Sequence, residues 1–166
     1  MPRHPGLCCL QEEMENGERN LQAALGYLHL GMAEDAAEEL DLLPPHRAGD
    51  LVVLRIRAHI HSELHAWEAL RDTAARLTTI APQDSQHWIW LAYATRRCRT
   101  VREAEGILQD ALRFHEKEPL IHFNLACYAA VTGRTDLART RLAEAIRLEP
   151  SITAMAVEDP DLTTLW

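Results

Sequence analysis

The sequence predicts an all-α fold, a right-handed α-solenoid of four helix-turn-helix repeats closed by a C-terminal capping segment. Three observations predict it. A register of 34 residues runs four times without a gap, from Gly17, Leu51, Ser85 and Pro119. Alanine fills the eighth position of every copy, as Ala24, Ala58, Ala92 and Ala126. Ala, Leu, Arg and Glu dominate the composition, and all four are strong helix formers.

Each copy reads as two antiparallel helices joined by a tight turn. Position twenty is Ala36, Leu70, Ala104 and Ala138; the small residues at position eight, and at position twenty in the copies other than the second, let the paired helices approach. Position twenty-four (Leu40, Ala74, Leu108, Leu142) and position twenty-seven (Leu43, Leu77, Ala111, Ala145) supply apolar filling between successive pairs. One pair cannot bury its apolar face alone, so the copies must stack. The spacing predicts helices over about 18–30, 33–43, 50–64, 66–80, 85–97, 101–114, 119–131 and 135–148. Gly31 and Gly133 stand where a left-handed helix end is wanted. Thr100 and Glu103 form a capping box, and Asp84-Ser85 suits the start of the helix carrying Trp88. Pro44-Pro45 and Asp159-Pro160 end helices. The chain divides into an extension, 1–16, partly disordered or helical; four repeats, 17–50, 51–84, 85–118 and 119–152; and a cap, 153–166. The cap's Met155, Val157, Leu162, Leu165 and Trp166 are expected to fold back on the helix over 135–148, against Leu137, Ile146 or Leu148, because a stack must cover its open end.

Charge and cysteine usage narrow the function classes. A net charge of −8 repels a phosphate backbone, so no nucleic-acid partner is expected. No apolar run approaches the roughly 20 residues of a membrane span, so no membrane association is expected. Cys8, Cys9, Cys98 and Cys127 lack a disulfide or C-x-x-C pattern, and with no signal-peptide core near the start the expected location is cytoplasmic.

The fourth copy, with Phe123-Asn124-Leu125-Ala126-Cys127-Tyr128, Gly133, Ala138 and Ala145 through Pro150, resembles the tetratricopeptide-repeat family. The third copy resembles it through Trp88, Leu91, Ala92, Ala104 and Ala111. Copies one and two are weaker; copy two has Arg57 where the family usually has Leu, and Ala69 suggests a turn one residue short. With its Asp-Pro-Asp-Leu…Leu-Trp ending, the chain looks like small stand-alone bacterial members of that family.

The resemblance implies a concave groove lined by the first helix of each copy, at positions two, five, nine and twelve. The residues so placed include Leu21, Leu25, Leu28, Val52, Arg55, His59, Ile89, Tyr93, Arg96, Phe123 and Cys127, an apolar and aromatic stripe with a few cations. Part of that stripe is expected to pack between repeats and meet no ligand. Trp90, two residues after Trp88, is either a wedge between repeats or a groove anchor. Family members that grip chaperone tails use Lys and Asn at set positions. Position five here reads Leu21, Arg55, Ile89 and Phe123, so that clamp is missing.

No Gly-rich phosphate loop, nucleophile elbow or H-E-x-x-H motif occurs, so neither catalysis nor a cofactor is expected. His59, His61 and His65 approach a metal-like spacing, but His65 falls at a turn and no third ligand is placed, so a structural role is preferred. The leading functional reading is a protein–protein interaction scaffold that holds another protein's peptide or helix in the groove. The second is a secretion-type chaperone for apolar segments of an exported protein. The expected ligand is mildly acidic with apolar anchors, to suit Arg55, His59 and Arg96. The chain's own Val-Glu-Asp-Pro-Asp-Leu-Thr-Thr-Leu-Trp has this character, and local capping is the preferred role for it over entry into a neighbouring copy's groove.

Overall fold

The structure is a computed structural model that describes the backbone of residues 5–166 and the side chains from residue 15 onward. The readings of His4, Cys8 and Cys9 as ligands lie outside the described side chains. The described residues form α-helices and short 3-10 turns with no strand. Two compact units are present, Met1–Thr73 and Ala74–Trp166.

The first unit holds α1 (Pro5–His29), α2 (Ala33–Asp41), a 3-10 turn (Pro45–Gly49), α3 (Leu51–Glu63) and the first half of α4 (Trp67–Ile80). Helix α1 starts well before the expected residue 18, with Pro5 at its first position. Proline there sacrifices no intrahelical hydrogen bond, because that N–H has no partner anyway. Leu21, Ala24, Ala36, Leu40, Leu43, Val53, Ile56 and Ile60 form this unit's core. Arg57 does not fill the core as a Leu would. Its guanidinium donates to Asp41 Oδ1 at 3.1 Å and to the Leu40 carbonyl at 3.4 Å, closing the C-terminal end of α2.

Position fifteen of the repeat explains the turns. Gly31 and Gly133 have φ of 73° and 77°. In each case the next residue's N–H bonds back to the carbonyl five residues earlier, Met32 to Tyr27 and Arg134 to Ala129, both at 2.9 Å. In the second copy His65 takes the same left-handed conformation, φ 54°, and Ala66 N–H bonds the His61 carbonyl at 2.8 Å. A Cβ in that region costs roughly 1–2 kcal/mol, here partly offset by the His65–Trp67 ring contact at 5.1 Å. We therefore expect His65→Gly to unfold at higher urea than His65→Ala, by about 1 kcal/mol, since Ala keeps the strain and loses the ring. Equal midpoints would show that this turn stores no strain.

The second unit holds the rest of α4, then α5 (Ser85–Cys98), α6 (Val101–Ala111), α7 (Pro119–Val131), α8 (Thr135–Leu148), α9 (Ile152–Glu158) and a 3-10 turn over Pro160–Leu165. Asp84 caps α5 by accepting Gln86 N–H at 3.1 Å. Thr100 Oγ1 accepts Glu103 N–H at 3.2 Å, the first half of the expected capping box, and Glu103 Oε1 accepts from the Thr100 hydroxyl at 2.9 Å rather than from its backbone N–H. Trp88 is anchored by its indole N–H on the Pro82 carbonyl at 2.9 Å and stacks on Phe114. The alanine column is buried throughout: Ala24, Ala58, Ala92 and Ala126 are at most 1% exposed, as the 34-residue register requires.

The closing segment differs from its expectation. Leu162 and Leu165 are buried, together with Ile152 and Ala156, but Met155, Val157 and Trp166 are exposed, and so is Leu137. The reason is helical period: on α9 the inward pair is Ile152 and Ala156, four apart, which turns Met155 and Val157 outward. The Pro160–Leu165 turn packs mainly on α7, with a lesser contact to α8, while α9 packs on α8 as expected.

Candidate functional site

Helix α7 sets up the site. Nine of its thirteen residues are buried: Ile121, His122, Phe123 and Leu125 through Ala130. A helix apolar all round must be covered all round. Helices α5, α6 and α8 pack against it, and the Pro160–Leu165 turn packs against it as well. Phe123 and Cys127, at repeat positions five and nine, are therefore buried, with Leu162 and Leu165 in the same apolar cluster.

Arg96, at position twelve of α5, meets the turn. Its guanidinium donates both ways to Asp161, at 2.5 Å to Oδ2 and 2.9 Å to Oδ1. Both side chains are largely shielded, about a fifth to a quarter exposed. A forked pair of this kind is planar, directional and stronger than a neutral hydrogen bond. The Asp161 hydrogen bond raises the arginine's already high pKa further. Asp159 caps the turn, its Oδ1 accepting Asp161 N–H at 2.8 Å, while the Cys127 thiol donates to its Oδ2 at 3.8 Å. Burial, then the carboxylates of Asp159 and Asp161, push the Cys127 thiol well up, so it stays protonated.

Tyr128, fully buried, lies 5.4 Å from the Arg96 guanidinium, measured to its ring centroid. Its hydroxyl makes no hydrogen bond. A buried orphan hydroxyl costs about 1–3 kcal/mol, so this corner is not fully satisfied by the groups around it. Sequence reasoning did not single out Tyr128, Asp159 or Asp161 as site residues. The signal for the two aspartates was the acidic-aliphatic character of residues 157–166, complementary to Arg96.

Cys127, Asp159 and Asp161 bring their ligand atoms within 4.8 Å of one another. The positive charge at this cluster is already supplied by Arg96, and a thiol held protonated is a poor metal ligand. The histidines of the second copy go to different partners. His59 faces Glu63 at 3.7 Å, His61 sits 3.3 Å from Thr73 Oγ1, and His65 meets the Trp67 ring at a tilt of 30°. Burial first, and the Arg57 charge second, lower the His61 pKa.

The other stripe residues fall into two groups. In the second unit Ile89 is half-buried on the apolar cluster, and Tyr93 accepts a hydrogen bond from Arg97 at 2.8 Å. Trp90 turns to another face of α5, where its ring stacks on buried His87 with centroids 6.3 Å apart. In the first unit Leu25, Val52 and His59 are exposed and Arg55 is half-buried.

No family model matches the chain, and no curated protein matches it. Solved structures do. The structure titled "MamA RS-1 ArsTM double mutant" superposes with a TM-score of 0.73 at 16% identity, over 81% of this chain and 76% of that one. TTC0263, a thermophilic tetratricopeptide-repeat protein of Thermus thermophilus, gives 0.69 at 18% identity, over 90% and 80%. YrrB, described as a tetratricopeptide-repeat protein with an unusual peptide-binding site, gives 0.67 at 12% identity, over 98% and 89%. No described helix is long and apolar enough to cross a membrane. The 34-residue register, the buried alanine column, the left-handed turns and these superpositions together establish that the chain has the tetratricopeptide-repeat fold.

Proposed function

We propose that this chain is a protein-interaction scaffold that holds a partner's peptide segment against the first helices of its repeats. The observation that carries the reading is the lodging of Asp161 and Leu162 on α5 and α7. A carboxylate sits in the fork of Arg96 and the adjacent aliphatic side chain is buried in the cluster of Phe123 and Cys127. The surface thus has the two components of peptide recognition, apolar anchoring for affinity and a charge-assisted fork for orientation. YrrB's described peptide-binding site, on a chain of the same fold, supports the reading. The first unit's own exposed Leu25 and Val52 have the same apolar character. With a net charge of −8, a heavily acidic partner would be repelled, so the fitting ligand carries one or two carboxylates among aliphatic residues.

The test is a displayed peptide library screened against the full chain, an Asp161→Ala variant and an Arg96→Glu variant. We expect selected sequences to place Asp or Glu within a few residues of Leu, Ile or Val, and the charge reversal to remove the acidic preference. No enrichment on either of the first two proteins would sink the reading. A ranking unchanged by Arg96→Glu would remove Arg96 from the site.

A further inference from the structure

We propose that the segment from Asp159 to Leu165 is the resident ligand of this site, and that a partner segment of pattern Asp-x-Asp-aliphatic-x-x-aliphatic takes its place. The proposal rests on the peptide-binding reading above and adds the partner's pattern and the means of control.

The segment's contacts are those of a bound peptide. It is a short 3-10 turn, not a helix paired with another helix, and it is held by side chains and one carbonyl. Asp161 sits in the Arg96 fork, Asp159 accepts from Cys127, and Leu162 and Leu165 enter the apolar cluster. Arg139 reaches the Leu165 carbonyl at 3.5 Å. The intervening Pro160, Thr163 and Thr164 are exposed, as is Trp166 beyond them. What the site reads is therefore two carboxylates and two aliphatic side chains at fixed spacing.

The fit is also incomplete. The Tyr128 hydroxyl stays buried and unbonded at the ring against which the Arg96 guanidinium rests. A ligand that sets a carbonyl or carboxylate oxygen slightly deeper satisfies it, an advantage the resident segment lacks. Affinity for such a ligand is set against the tether, which keeps the resident segment at high effective concentration. An external peptide therefore sees only the fraction of molecules in which the segment is out, and its apparent affinity falls by that fraction.

The experiment uses a labelled synthetic peptide with the sequence of residues 157–166, read by fluorescence anisotropy. It is titrated into the full chain and into a full-length Asp161→Lys/Leu162→Asp variant, whose segment is repelled by Arg96 and by the apolar cluster. A scrambled peptide is the control, and circular dichroism confirms that the variant keeps its helices. We expect the opened variant to bind at least about tenfold tighter than the full chain, which corresponds to a segment docked about nine-tenths of the time or more. Adding Arg96→Gln to the opened variant, which removes the cationic fork without attracting the substituted position 161, is expected to abolish binding. Equal affinity for the two proteins overturns the gating, with the peptide reading intact. A folded opened variant that binds nothing overturns the resident-ligand assignment; a library hit on that same protein then shows that the peptide reading survives it. If the variant does not fold, amide exchange on the unaltered chain decides. The Asp161 and Leu162 amides, bonded only within the turn to Asp159, must exchange faster than those of α7. Exchange as slow as that of α7 overturns the proposal.

Discussion

Ala126→Leu lowers the unfolding free energy by about 1–3 kcal/mol, read from the urea midpoint. Ala126 has no exposed surface and sits in the middle of α7. Its repeat partner Ala138, on α8, is equally buried, and α7 with α8 is the most extensive helix pair of the second unit. Leu adds three carbons where neither helix has room, so the pair must separate or neighbouring side chains must leave their rotamers. The separation also disturbs Phe123 and Cys127, which share the same apolar cluster, so the cost is not confined to one contact. Ala143→Leu, on the exposed face of α8, is the control and is expected to stay within about 0.5 kcal/mol. Equal effects at the two positions would mean that burial at position eight does not define the repeat.

The same column shows why so much of the fold was legible. A repeat constrains each residue type several times over, so an error in one copy is corrected by the others. Ala24, Ala58, Ala92 and Ala126 fix where helices pair, and Gly31 and Gly133 fix where they turn. The glycine column does not settle its two non-glycine members: His65 takes the left-handed conformation, with φ 54°, and Arg99 does not, with φ −135°. The closing segment has no such redundancy. It occurs once, and its apolar residues fit several surfaces equally well. The turn's link to α5 is a pairing between residues 65 apart in sequence, Arg96 and Asp161, and no local pattern announces it. A subtler signal was available. The run Phe-Asn-Leu-Ala-Cys-Tyr-Ala-Ala-Val contains only Asn124 as a polar position, and a helix of that kind needs a cover on nearly every side. Phe123 and Cys127, expected to line a groove, lie on α7 but are buried, because their exposure depends on what else in the chain lies on them.

Leu162→Ala destabilises the chain by about 2–3 kcal/mol, the lower part of the range for a buried leucine. Leu162 is fully buried, and deletion of three carbons forfeits their transfer free energy and leaves a hole. In a helix core the surroundings are held from all sides, so the hole persists and the upper part of the range applies. The 159–165 segment is held from one side only, with Pro160, Thr163 and Thr164 exposed. Once its main anchor is cut, the segment can undock, and the loss cannot exceed the free energy of docking. The second substitution separates this from an ordinary cavity. Leu165→Ala alone is expected to cost about 1–2 kcal/mol, because Leu165 is also buried but lies at the end of the turn. In the double variant the two costs must fall short of their sum, by about 1 kcal/mol or more, since an undocked segment has nothing further to lose. Urea unfolding of the four proteins in the cycle measures this directly. Strict additivity would show that Leu162 and Leu165 are fixed parts of the core, and would count against a segment that comes and goes.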